Sequence, residues 1–159
     1  MSQQSTSNAD LRGMRILCIA LMMGMVIFTG VVVVLNYFAP MPTSALTEYA
    51  DIILGVVAVA AIGAFVFGRH SFNKKMQEIK NSSVNLSEKL NLYRAALILY
   101  MAPCEGAGIF SILLFMLTGN YWFLLITLSM LLAMAMRFPA KQKLINEMSL
   151  DWKEQQSLE

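Results

Sequence analysis

Apolar residues in this chain gather into four long runs, at residues 16–38, 52–68, 92–118 and 121–136. A bilayer's hydrocarbon core is crossed by about 20 consecutive apolar residues in helical form. At that depth only helices and closed barrels satisfy every backbone N–H and C=O. The four runs therefore predict four transmembrane helices, with the short second and fourth borrowing interfacial residues at their ends. The first run exceeds the roughly 7–15 residues of a signal-peptide core. No small-residue cleavage site follows it, because Ala39 precedes Pro40. It is expected to remain in the mature protein.

Finer signals sit between the runs. Pro40 and Pro42 stop helix one. Phe72, Met76 and Ile79 recur at helical spacing, so helix two is expected to continue beyond the membrane until residues 81–85 interrupt it. Asn85 and Glu88 have capping-box spacing, which starts helix three before it enters the bilayer. Gly119–Asn120 predicts a tight antiparallel hairpin. Pro139 suits the first turn of a new helix. Leu144, Ile145, Met148 and Trp152 then make an apolar stripe on a charged tail, which would lie on the inner leaflet or cover the central loop. The expected fold is all-α: an antiparallel four-helix transmembrane bundle with a short cytoplasmic C-terminal amphipathic helix. It forms one membrane domain over residues 1–159, with a cytoplasmic loop at 69–91 and a tail at 137–159.

Composition agrees: 57% of residues are hydrophobic and 14% charged, against roughly 25% charged in a soluble domain. Charge placement adds an orientation. Arg12 and Arg15 precede the first run; Arg69, Lys74, Lys75, Lys80, Lys89 and Arg94 lie in or beside the central loop; Arg137, Lys141, Lys143 and Lys153 follow the last run. Residues 39–51 and 119–120 hold no Lys or Arg. Basic segments stay on the cytoplasmic side during insertion, so both termini and the central loop are expected in the cytoplasm of a bacterial inner membrane. Topology accounts for the basic residues without nucleic acid. The Lys74–Lys75 pair could in addition meet anionic lipid or an acidic partner. Tyr37, Phe38, Tyr49, Tyr121 and Trp122 are expected at the outer interface, and Phe72, Tyr93 and Phe138 at the inner one.

Small residues suggest where helices meet. Ala20 and Gly24 form one small-xxx-small pair, and Ala60, Ala64 and Gly68 recur every fourth position on helix two. Such faces pack by close backbone approach in lipid. Helix two is therefore expected at the centre of the bundle, and self-association through these faces is open.

Candidate chemistry is sparse. His70, the one histidine, falls at a helix end among basic residues, and Cys18 and Cys104 both fall inside apolar runs. Neither a zinc set nor a disulfide framework is expected. Cys18, Met22 and Met25 share a face and are soft enough for Cu(I), but Met is also a flexible filler of apolar space. No metal or cofactor is expected. Glu105 is different, standing thirteen residues from each end of the third run, near the bilayer midplane. An ionised acid there costs roughly 2.5–3.5 kcal/mol on insertion scales, so it is neutral unless a cation compensates. Pro103 removes a backbone donor just before it, and Gly106 and Gly108 thin the helix after it. A structural Glu105 would bond to a freed carbonyl or to Thr29, Thr127 or Ser129; a functional one would carry a proton or cation.

Tyr93-Arg94-Ala95-Ala96-Leu97, Glu105-Gly106, Leu117-Thr118-Gly119-Asn120 and Pro139 followed by Lys143 resemble a group of small, uncharacterised bacterial four-helix inner-membrane proteins. The likeness spans most of the chain through loose motifs and implies topology rather than activity. Residues 92–111 are also similar to the second helix of the proteolipid (c) subunit of rotary ATP synthases. There an Arg at the cytoplasmic end precedes a proton-carrying mid-membrane carboxylate by eleven residues, as Arg94 precedes Glu105. The chain departs from that family in its partial glycine ladder, its long loop without the family's polar signature and its two additional helices. The leading expectation is a non-enzymatic accessory or structural membrane component, working with the lipid bilayer and with a second copy or a membrane-complex partner. The alternative is proton or cation handling centred on Glu105, Pro103 and Arg94.

Overall fold

The computed structural model describes residues 2–39, 45–82 and 84–140 together with Leu144 and Glu147; over residues 2–10 only the backbone path is described. Four helices follow in order: α1 (Ser2–Phe38), α2 (Ala50–Asn81), α3 (Leu86–Thr118) and α4 (Trp122–Met136), with one 3-10 turn, Ala45–Thr47, before α2. The fold is all-α. Three helices are long and apolar enough to cross a membrane, and α4 is a shorter apolar helix of 15 residues. At 1.5 Å per residue, the 32 residues of α2 run about 48 Å, well beyond a hydrocarbon core of roughly 30 Å. Its continuation carries Phe72, Met76 and Ile79 on one buried side, as their spacing predicts. α1 likewise extends past its apolar run, burying Leu11 and Met14 on the added turns.

Local chemistry sets the ends. The Asn85 side chain accepts a hydrogen bond from the Glu88 N–H at 3.0 Å, satisfying one of the orphan donors that open α3. Gly119 closes α3 with φ 68°, a left-handed conformation that costs glycine nothing, and its N–H donates to the Phe115 carbonyl at 2.8 Å. The Asn120 side chain then accepts from the Trp122 N–H at 3.1 Å, so the chain turns straight into α4. Pro40 and Pro42 lie outside the described residues.

The centre of the bundle is α3, not α2. α1, α2 and α4 each pack on α3, and α1 and α2 barely touch one another. α3 buries side chains along its whole length, from Leu90 to Phe115, whereas the buried residues of α2 form one narrow stripe of Ala50, Val57, Ala61, Gly68, Phe72, Met76 and Ile79. The α3–α4 pair is stitched antiparallel by Ser111 Oγ donating to the Phe123 carbonyl (2.7 Å), Thr127 Oγ1 to the Gly108 carbonyl (3.2 Å) and the Tyr100 hydroxyl to the Ala133 carbonyl (3.1 Å). Small residues and hydroxyls are what lets helices approach and bond in an apolar solvent.

The close approach of α2 is made at Gly68, where an added Cβ would stand 3.0 Å from the Tyr100 carbonyl oxygen. Ala64 is half-buried and Ala60 is exposed. The stripe is set by Val57, Ala61 and Gly68 rather than by the every-fourth-position alanines, because α3 lies to one side of the line those alanines trace. Ala20 and Gly24 of α1 are exposed, with open space around Gly24; α1 meets α3 through Cys18, Met25 and Val32 instead.

Leu144 is fully buried, and Arg15 Nε donates to the Pro139 carbonyl at 3.1 Å. Ile145, Met148 and Trp152 lie outside the described residues.

Candidate functional site

Glu105 occupies the middle of α3 between buried Cys104 and exposed Gly106, and is itself half-buried. Met101, Gly108 and Ile112 on its own side are buried, while Ala102 and Gly106 are open to the surroundings. The carboxyl thus sits on the border between the α1 contact and the outer face of α3. Gly108, one turn on, holds the α1 side: an added Cβ there would meet the Met25 Sδ at 2.9 Å.

The hydroxyls that could have partnered Glu105 are committed elsewhere. Thr29 Oγ1 donates to the Met25 carbonyl (2.8 Å), Ser129 Oγ to the Leu125 carbonyl (2.8 Å), and Thr127 Oγ1 to Gly108 and Phe123. Each hydroxyl bonds a carbonyl one turn back on its own helix or, for Thr127, also across to α3. Among the described residues Glu105 makes no hydrogen bond and no ion pair. Pro103 is half-buried beside it. Arg94 is exposed towards the N-terminal end of α3, eleven residues and about 16 Å of helical rise away. It shares a side with Glu105 but is far beyond ion-pair reach.

The other candidates stay apart. His70 and Asp51 are exposed, in the second half and the first turn of α2 respectively. Cys18 and Cys104 are free and buried. Among the described residues no three His, Cys, Asp or Glu side chains gather where they could hold a metal ion.

A cluster that residue spacing does not reveal lies where α4 ends, beside Phe72 of α2 and Tyr93 of α3. Phe72 and Tyr93, expected as interfacial belt residues, are each 1% exposed. Their rings meet edge to face at 5.8 Å. The Arg137 guanidinium lies over Phe72 at 4.5 Å and faces Tyr100 at 5.7 Å. Glu147 joins the group from the tail, accepting from the Tyr93 hydroxyl (3.1 Å) and pairing with Arg137 (3.0 Å). A buried tyrosine needs a partner for its hydroxyl, and Tyr93 inside an apolar run is the signal for one. Nothing in the spacing singles out Glu147 as that partner. Tyr37, Phe38, Tyr49, Tyr121 and Trp122 are all exposed.

The chain is thus an α-helical protein with three helices long and apolar enough to cross a membrane, a half-buried mid-helix acid without a partner among the described residues, and a cation–aromatic cluster where α4 ends. Comparison with family models, with curated proteins and with solved structures returns no match.

Proposed function

We propose that this protein is a non-enzymatic component of a bacterial inner-membrane assembly, with both termini in the cytoplasm, and that it docks a further transmembrane helix on the outer face of α3 beside Glu105. The observation that carries the reading is Glu105 itself. An acid inside a membrane turns to the bundle interior, to a cavity or to a partner, and within the described residues this one has none. Exposed Ala102 and Gly106 flank it, and small residues let a second backbone come close enough for a hydrogen bond. That helix comes from a second copy or from another membrane subunit. The second reading, proton or cation handling, draws on the same fact: no structural hydrogen bond occupies the carboxyl, and Arg94 lies on its side of the helix.

Two substitutions separate the readings. Glu105→Gln keeps shape and hydrogen-bonding capacity without the ability to ionise; Glu105→Leu removes both. A docking role is preserved by Gln and lost with Leu, measured as energy transfer between labelled copies in liposomes and as co-purification from native membranes. A Gln variant that assembles like wild type but abolishes a proton flux seen with wild type in liposomes overturns docking as the main role.

A further inference from the structure

Two arginines from different helices line one cavity. Arg69 follows the second apolar run by one residue, and Arg137 follows the fourth by one. The helix packing brings these ends together, and Phe65, Arg69, Tyr100, Met136 and Arg137 enclose a half-open cavity of about 200 Å³. A water occupies about 30 Å³ in the liquid, so the space admits a group of several heavy atoms.

The chemistry of the walls is specific. Arg137 is held in place by the Phe72 and Tyr100 rings and by Glu147, which meets it at Nη1. A guanidinium carries five donors in a planar fork, so this ion pair leaves capacity for an oxyanion. Arg69 is exposed and makes no hydrogen bond or ion pair among the described residues. Glu147 offsets one of the two guanidinium charges, so the pair of arginines keeps one positive charge. The Tyr100 hydroxyl is taken by the Ala133 carbonyl, which leaves its ring as a wall. Phe65 and Met136 supply apolar surface on the membrane side.

Arginine matches phosphate with two parallel N–H···O bonds. We propose that this cavity binds a phosphate-bearing anion, supplied by the headgroup of an anionic phospholipid of the cytoplasmic leaflet. The phosphate sits between Arg69 and Arg137 and the glycerol and upper acyl chain run along Phe65 and Met136. The site depends on membrane placement and is independent of any role for Glu105.

The test uses the full chain in a neutral detergent, with thermal unfolding followed as short-chain phosphatidylglycerol, phosphatidylcholine of equal chain length, or inorganic phosphate is added. Phosphatidylglycerol at a hundredfold excess over its Kd raises the wild-type Tm by about 5–10 °C. Arg69→Gln, at an exposed position, folds normally and loses most of this rise; Arg69→Lys keeps part of it, as a point charge without the fork. Lys74→Gln responds like wild type. An equal rise with inorganic phosphate supports the phosphate site and overturns the lipid as its source. An equal rise with phosphatidylcholine, or an undiminished response in Arg69→Gln, overturns the site.

Discussion

Gly68→Ala is the sharpest probe of the packing. The new Cβ would stand 3.0 Å from the Tyr100 carbonyl oxygen and 3.4 Å from its Cα and Cδ2. A carbonyl and a Cα in mid-helix cannot rotate aside, so α2 and α3 have to separate by a few tenths of an ångström along their contact. Gly63, five residues earlier on the same helix, has nothing within 4 Å of the corresponding position. Both changes gain the same helix propensity, about 0.5–1 kcal/mol in a soluble helix, so the difference between them isolates the contact. Overpacking a tight site costs about 1–3 kcal/mol; at 2–4 °C per kcal/mol for a chain of this size, Gly68→Ala should melt roughly 2–12 °C below Gly63→Ala. Gly108→Ala serves as an intermediate case, because its Cβ would meet the flexible end of Met25 at 2.8 Å, which can swing away. Circular dichroism of the purified variants in mild detergent reads the order. Equal melting of the Gly63 and Gly68 variants would refute the close approach of α2 to Tyr100.

The remaining predictions concern the two ends of the bundle and its orientation. Fusions that report export are expected to be active after Thr43 and inactive after Ser82 and Glu159; an active reporter at Ser82 reverses the orientation. Glu147→Ala leaves half-buried Arg137 and the buried Tyr93 hydroxyl without their shared partner, at about 1–3 kcal/mol for an unsatisfied group, and should speed proteolysis of the tail several-fold while α1–α4 stay intact. Asn85→Ala removes the cap on Glu88 N–H and should cost about 1 kcal/mol, seen as faster amide exchange confined to the first turns of α3.

Legibility follows the kind of interaction. Capping and turn chemistry depend on neighbours along the chain, so the roles of Asn85 with Glu88 and of Gly119 with Asn120 are written in the residues themselves. The buried side of the α2 extension is readable too, because beyond the lipid Phe72, Met76 and Ile79 are apolar against polar neighbours. Inside the lipid that contrast vanishes. Exposed Val56, Val59, Ile62 and Val66 are as apolar as buried Val57, so periodicity cannot say that α3, rather than α2, is central. Small residues are an ambiguous guide for the same reason: Gly68 and Gly108 mark contacts within the chain, while Gly24, Gly63 and Gly106 face outward. For Glu105 the central place in its apolar run is plain from the sequence, but the commitments of Thr29, Thr127 and Ser129 depend on which carbonyl each hydroxyl meets.

The central position of α3 has a consequence for biosynthesis. The ribosome delivers the helices in order, and α1 and α2 share almost no surface. A nascent chain that has released only its first two spans holds two separate rods in the bilayer, each with its inward stripe facing lipid. Arrival of the third span gives both a common post, and the short hairpin at Gly119 then drops α4 into place against it. Assembly is therefore gated late. A chain truncated before Leu86 lacks the helix on which α1 and α2 pack, whereas one truncated after Gly119 already contains the surfaces that hold them.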